Sequence, residues 1–170
     1  NTLDSIIWMA EGRKYEEVVL MTASLARLLR QSISNEDEVV PLAREVEYAK
    51  GYLTIQKMRY KDKLEFEIDV EPSILNIPLI KLVLQPIIEN AIYHGLKYKE
   101  SKGLLQVKGF MKDGNAVLQV IDNGVGMDEE TLSHIYDKHK VNYHSNGVGV
   151  YNVQKRLKLY YGENYGITYE

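Results

Sequence analysis

The sequence predicts an α+β fold: a helical segment over residues 1–60, then, over 61–170, a sandwich with helices on one face of a mixed sheet. Three observations predict it. Apolar residues recur at helical spacing through the first 60 residues, and at Leu64 the period drops to two. From there the order is strand, helix, strand, strand, short helix, loop, helix, strand, which is not the strict alternation of a βαβ chain.

Taken in order, "NTLDSIIWMAE" (1–11) reads as the tail of a helix interrupted near Gly12; it opens without a cap, so the expectation is that part of it lies upstream. From Tyr15 to Ile33 a second helix sets Val18, Met21, Leu25, Leu28 and Leu29 on one face, broadened by Val19, Ala26 and Ile33, and should bury most of its girth. Pro41 suits the first turn of a third helix, where its missing N–H costs nothing; Leu42, Val46, Ala49, Leu53 and Met58 form its stripe. Such stripes need a partner, either a bundle core or a dimer interface.

"LEFEIDV" (64–70) alternates Leu64, Phe66, Ile68 and Val70 with Glu65, Glu67 and Asp69, a strand wet on one face. Pro72 and Pro78 bracket a turn. A helix over 79–98 follows, with apolar positions 80, 83, 84, 87, 88 and 91 and a polar row at 90, 94 and 97; Pro86 within it should cost the bond to the carbonyl of Leu82. "GLLQVKGFMK" (103–112) and "NAVLQVID" (115–122) are strands joined at Asp113-Gly114, a hairpin signal. A short helix over 129–135 and a polar loop precede a last amphipathic helix carrying Val150, Val153, Leu157 and Tyr160 on a face and ended by Gly162. "YGITYE" (165–170) enters a further strand.

Composition excludes several functions. With 45% apolar residues in 170, the chain can bury a real core. The net charge of −3 comes from 21 basic and 24 acidic residues mixed along the chain, without the basic stripe that tracks a phosphodiester backbone, so no nucleic-acid partner is expected. There is no cysteine, hence no disulfide framework and no thiolate metal site, which suits a reducing cytoplasm. The four His lack metal-ligand spacing. No apolar run approaches the roughly 20 residues that cross a bilayer. Residue 1 is not Met, and the expectation is a soluble piece of a longer protein.

Three clusters carry chemistry: "ENAIYHG" (89–95) on a helix, "DNGVGM" (122–127) at a strand end and "NGVGVYN" (146–152) where a loop enters a helix. A buried Asp122 carboxylate accepts from the exocyclic amine of adenine and repels the carbonyl of guanine, favouring ATP over GTP. Gly124 and Gly126 allow left-handed turns and close approach of a flat ring. Gly147 and Gly149 precede a helix whose free N–H groups and positive dipole end favour phosphate. Asn90 offers a hard, neutral oxygen suited to Mg²⁺. Singly, each has a plainer reading: an ordinary turn at "DNG", a loop-to-helix junction at "NGVG", a capping Asn90, a structural His94. Their joint order favours one nucleotide site.

That order resembles the GHKL (Bergerat-fold) ATP-binding domain, and specifically the catalytic domain of sensor histidine kinases of the LytS/YesM-like group. "LQPIIENAIYHG" (84–95) looks like its N box, "DNGVGM" its G1 box and "NGVGVYNVQKRL" (146–157) its G2 box, while "NTLDSIIWMAE" and "LAREVEYAKGYLTIQKMRYKDKLEFEIDVEP" (42–72) are similar to the helical region that precedes them. The resemblance implies Asn90 as Mg²⁺ ligand and Asp122 as adenine reader, with Gly124, Gly126 and Met127 beneath the base. It also implies Asn146, Gly147, Val148 and Gly149 at the phosphates, His94 and Lys97 beside the nucleotide, and residues 128–146 as an ATP lid. In many such kinases a Lys stands three positions after the N-box Asn; here that residue is Tyr93.

The function implied is transfer of the ATP γ-phosphoryl to a His on the dimerisation helices, for relay to a response-regulator Asp. That acceptor would lie just upstream of Asn1; none of His94, His134, His139 or His144 matches its motif, so this chain alone should not label itself. The implied setting is a homodimer through the N-terminal helices, cytoplasmic, in a sensor held at the membrane by segments outside these residues. Two alternatives belong to the same fold, an ATP-driven clamp and a Ser/Thr kinase of the anti-sigma type. A clamp needs a Glu base one turn before the Asn, where this chain has Pro86, which takes no proton; Glu89, about 100° around the helix from Asn90, is the remaining carboxylate and could order a Mg²⁺ water or make a structural bond.

Overall fold

The structure, a computed structural model, describes residues 2–33, 38–96, 99, 101–128, 132 and 147–170. Helices α1 (Thr2–Glu11) and α2 (Tyr15–Ile33) part at Gly12-Arg13, as the sequence predicts. Arg13 is left-handed there (φ 56), and the N–H groups of Gly12, Arg13 and Lys14 close the end of α1 onto the carbonyls of Trp8, Ala10 and Met9. Met9 and Met21 are fully buried. The expectation that α2 buries most of its girth does not hold within this chain: Val19 is 68% and Leu29 52% exposed, alongside Leu20 and, on α1, Leu3, Ile7 and Trp8. The physical reason is that, among the described residues, α2 packs mainly on α1 and on the next helix.

Strand β1 (Val39–Pro41) leads directly into α3 (Leu42–Tyr60), so Pro41 caps the helix rather than occupying its first turn. Leu42, Ala49 and Leu53 of the predicted stripe are buried, Val46 packs against them and Met58 is half-buried. Tyr48, Tyr52, Ile55, Gln56 and Glu45 are buried too, so α3 is a central helix. Strand β2 (Leu64–Val70) matches its predicted span; β3 (Pro78–Ile80) pairs antiparallel with β1, Val39 opposite Ile80.

The predicted start of the next helix at Leu79 is corrected. Leu79 and Ile80 belong to β3, residues 81–83 bend, with Leu82 left-handed (φ 61), and α4 runs from Leu84 to Asn90. Pro86 therefore sits in the first turn, where N–H groups have no helical acceptor, and costs α4 no hydrogen bond. The helix continues over Ala91–Leu96 as a wider π turn.

Strands β4 (Gly103–Lys112) and β5 (Asn115–Asp122) fall where predicted, and the sheet order is β2-β4-β5, parallel then antiparallel. Asp113 (φ 50) and Gly114 (φ 80) make the tight left-handed turn that suits strand twist. Helices α3 and α4 cover one face: Ala49, Tyr52, Leu53, Leu84, Ile88 and Ile92 pack against Leu64, Leu105 and Val107. A second cluster joins Ile80 and Val83 to Val153 and Leu157 of α5 (Gly147–Tyr161).

On α5, Tyr160 is 53% exposed, against expectation; Tyr161 turns inward, its hydroxyl accepting from the Ile80 N–H at 3.0 Å. Gly162 (φ 102) ends the helix as predicted. Residues 165–170 form no strand, and the Ile167 N–H instead donates to Gln154 Oε1 at 2.6 Å on α5. The predicted helix over 129–135 and the lid to residue 146 lie outside the described residues, apart from Asp128 and Leu132, whose N–H bonds to the Asp128 carbonyl at 2.9 Å. No helix among the described residues is long and apolar enough to cross a membrane.

Candidate functional site

Asp122 is the last residue of β5, and the chain must turn sharply after it. Asn123 fixes the turn by bonding Leu104 of β4 in both directions: its Oδ1 accepts from the Leu104 N–H at 2.8 Å and its N–H donates to the Leu104 carbonyl at 3.2 Å. Gly124 then donates to Asp122 Oδ1 at 2.8 Å, and Val125 donates to the carbonyl of Gly95 at 3.1 Å. The turn is thus docked on the π segment of α4. A side chain at Gly124 would run into the Gly95 carbonyl, so that glycine is required by close approach, while one at Gly95 would meet the Asp122 carboxylate and displace it. Gly126 is left-handed (φ 73) with open space around it; Gly124 is not, which corrects half of the expected left-handed pair. Asp122 itself is exposed rather than buried, because it stands at the sheet's end with one oxygen oriented by Gly124. Met127 is exposed beside it.

At the other end of α4, Gly149 lies against Pro86: a Cβ there would sit 3.2 Å from Pro86 Cβ. Gly147 and Gly149 are in the first turn of α5 rather than before it, so the helix's unsatisfied N–H groups begin at these residues. Pro86 and Gly95 are nine residues apart on one helix, roughly 13 Å along its axis at the α-helical rise. Asn90 lies between them, half-buried, and its side chain makes no hydrogen bond to another described residue.

Glu89 and Tyr93 face differently. Glu89 Oε1 accepts from Gln85 Nε2 at 2.9 Å one turn earlier. Burial, and then the charge of Glu89 with a smaller push from Tyr93, drives the Tyr52 phenol far above its ordinary range, so both groups border Tyr52 of α3. His94 is exposed on the π segment. Lys97 and Asn146 lie outside the described residues, as does the side chain of Val148. Among the described residues no group of three His, Asp or Glu forms a metal cluster, so a divalent cation here would rely on Asn90 and its ligand's own oxygens. Sequence reasoning left Gly95 out of the site; a glycine inside a helix, which costs about 1 kcal/mol against Ala, was the signal that could have found it.

Comparison with known proteins places this geometry. The Histidine kinase family matches residues 1–64, and the family of Histidine kinase-, DNA gyrase B-, and HSP90-like ATPases matches residues 76–169. Sensor histidine kinase YesM of Bacillus subtilis is 32% identical over 98% of this chain and 28% of its own length; Sensor protein LytS of Oceanobacillus iheyensis is 34% identical over 82% of this chain and 24% of its own. This chain thus spans about a quarter of those relatives' lengths. The histidine kinase domain of the Erythrobacter litoralis EL346 blue-light activated histidine kinase shares the fold, with a TM-score of 0.51 at 14% identity over 83% of this chain and 63% of that one. With the first match covering the helical part and the second covering β3, β4, β5 and the helices packed on them, the chain belongs to the histidine kinase-, DNA gyrase B- and HSP90-like ATPases, as a LytS/YesM-like histidine kinase with a GHKL domain.

Proposed function

We propose that this chain binds Mg²⁺-ATP along α4 and serves as the catalytic part of a protein-histidine kinase in a two-component system. In this reading Asp122 accepts from the adenine amine, and Gly124, Gly126 and Met127 lie under the base. Asn146, Gly147, Val148 and Gly149 receive the phosphates at the start of α5, with His94 and Lys97 at the nucleotide's flank. The observation that carries the reading is the placing of two close-packed glycine contacts, Gly95 with Asp122 and Gly149 with Pro86, at opposite ends of one helix, with Asn90 between them making no side-chain hydrogen bond to another described residue. Their spacing suits a nucleoside triphosphate. Asn90 fits a Mg²⁺ ligand because its amide oxygen is neutral and accepts from no other described residue; the cation would draw off negative charge from the transferring phosphoryl. Glu89 has one oxygen committed to Gln85, leaving the other for an ordered water at most.

The chain's own residues would then do little covalent chemistry and mostly hold the nucleotide in place. The phosphoryl passes to a histidine upstream of Asn1 in the whole protein, and from there to the Asp of a response regulator. Residues 1–60 would form the dimerisation segment and 61–170 the ATPase unit. The exposed Leu3, Ile7, Trp8, Val19, Leu20 and Leu29 support a homodimer through α1 and α2. The relatives' printed names, a sensor histidine kinase and a sensor protein, support a sensor; in this reading it is held at the membrane by segments outside these residues, with the kinase part cytoplasmic.

A longer chain that includes the residues preceding Asn1 should label itself from ATP carrying a γ-phosphate label, giving an acid-labile, alkali-stable product, while the 170-residue chain should not. Acid-stable label would assign a Ser/Thr kinase instead, and no label would contradict the kinase reading.

A further inference from the structure

Glu45 is an unusual residue to find in a core. It lies on α3, is 1% exposed, and has no cationic partner among the described residues. Its whole carboxylate is given to backbone: Oε1 accepts from the Leu82 N–H at 2.7 Å, and Oε2 from the Val83 and Leu84 N–H groups at 2.8 and 3.1 Å. These are the donors that open α4, which has no side-chain cap of its own. Beside them Leu82 is held left-handed (φ 61), a conformation a branched side chain adopts only when its surroundings impose it. The preceding carbonyl, of Lys81, accepts from Arg156 Nη2 of α5 at 2.8 Å. The start of α4 is therefore gripped from two sides, by a carboxylate of α3 and a guanidinium of α5.

We propose that Glu45 is a positioning residue for the nucleotide site: by gathering the N–H groups of Leu82, Val83 and Leu84 it fixes the depth and rotation of α4 and so sets Asn90 against the phosphate end of α5. The inference rests on the Mg²⁺-ATP reading above. Asn90 lies less than two turns from Leu84, so a shift of the helix start reaches it almost undiminished, whereas the turn after Asp122, although it also bonds Gly95 farther along the same helix, is anchored independently to Leu104 of β4. Since α3 also packs on α2, a tilt of the helical segment can reach Asn90 through this carboxylate as well as through the apolar packing of α3 on α4. The same link runs backwards, from bound nucleotide to the helices.

The test titrates the 170-residue chain and its Glu45→Gln and Glu45→Asp variants with Mg²⁺-ATP and with adenosine, and follows amide exchange at Leu82, Val83 and Leu84. Gln keeps the volume but turns one acceptor into a donor; Asp keeps the charge and withdraws it by one methylene. Losing charged hydrogen bonds should weaken Mg²⁺-ATP binding about tenfold or more and speed exchange at the three amides, while adenosine affinity stays within about twofold. Folded variants that bind Mg²⁺-ATP like the parent, or lose adenosine and Mg²⁺-ATP in equal measure, would overturn the proposal. Should the Gln variant not fold, the Asp variant decides by the same criteria. A parent chain that fails to bind Mg²⁺-ATP refutes the site reading itself, and this inference with it.

Discussion

The two ends of α4 are held by different physics. At its C-terminal end the helix meets the turn after β5 through glycine contacts and a backbone hydrogen bond from Val125 to Gly95, while Gly124 donates to the Asp122 carboxylate. At its N-terminal end it hangs on charged side chains from elsewhere, Glu45 of α3 and Arg156 of α5. The contact of Gly124 with the Gly95 backbone offers no rotamer to adjust, so the first end is fixed largely by shape. The second moves when either neighbouring helix moves. An adenine end that is rigid and a phosphate end that is adjustable would let one helix both recognise a nucleotide and respond to its surroundings.

The sharpest way to break the rigid end is Gly124→Ala, because its Cβ meets the Gly95 backbone and nothing can swing aside. Loss of measurable ATP binding by titration calorimetry is expected. Gly95→Ala is milder: the obstacle is the Asp122 carboxylate, which can rotate away at the expense of its bond to Gly124. The helix gains propensity while the adenine reader is displaced, so the variant should melt no lower than the parent and yet bind ATP about 10- to 100-fold more weakly. Asn90→Ala probes the middle; Mg²⁺-ATP affinity should fall about tenfold, and adenosine affinity should not change.

The smallest expected effect concerns Tyr52, beneath Glu89. Its folded-state pKa is raised above the ordinary 10.0, mainly by burial, so the stability it contributes is present below pH 10.0 and is lost as pH rises beyond that value. Tyr52→Phe should flatten the alkaline limb of the stability curve and leave the neutral region nearly unchanged, as denaturant melts at stepped pH would show.

Much of the fold was legible where a pattern ran long enough to set a period. The alternation of 64–70, the strands around Asp113-Gly114 and the span of α2 all appear with their predicted bounds, although the α2 stripe is not buried as expected. Strands β1 and β3 have three residues each and no period to read, and the α4 start was misplaced because the bend at Leu82 is imposed by Glu45, 37 residues away. A hydrophobic pattern carries no trace of such a contact. Likewise the motif "DNGVGM" marked a turn at Asp122, but its docking onto Gly95 depends on a π turn that an α-helical count does not anticipate. Tyr160 and Tyr161 illustrate the same limit, since either could face inward by spacing and only the Ile80 N–H selects Tyr161.

The claim on which the rest depends is that Asp122 reads adenine in a nucleotide laid along α4. Titrating the 170-residue chain and its Asp122→Asn variant with Mg²⁺-ATP and Mg²⁺-GTP tests it most directly. The parent should bind ATP and discriminate against GTP, and the variant should lose most of its ATP affinity. Equal binding of ATP and GTP by the parent, or an Asp122→Asn variant that binds ATP as well as the parent does, would contradict it.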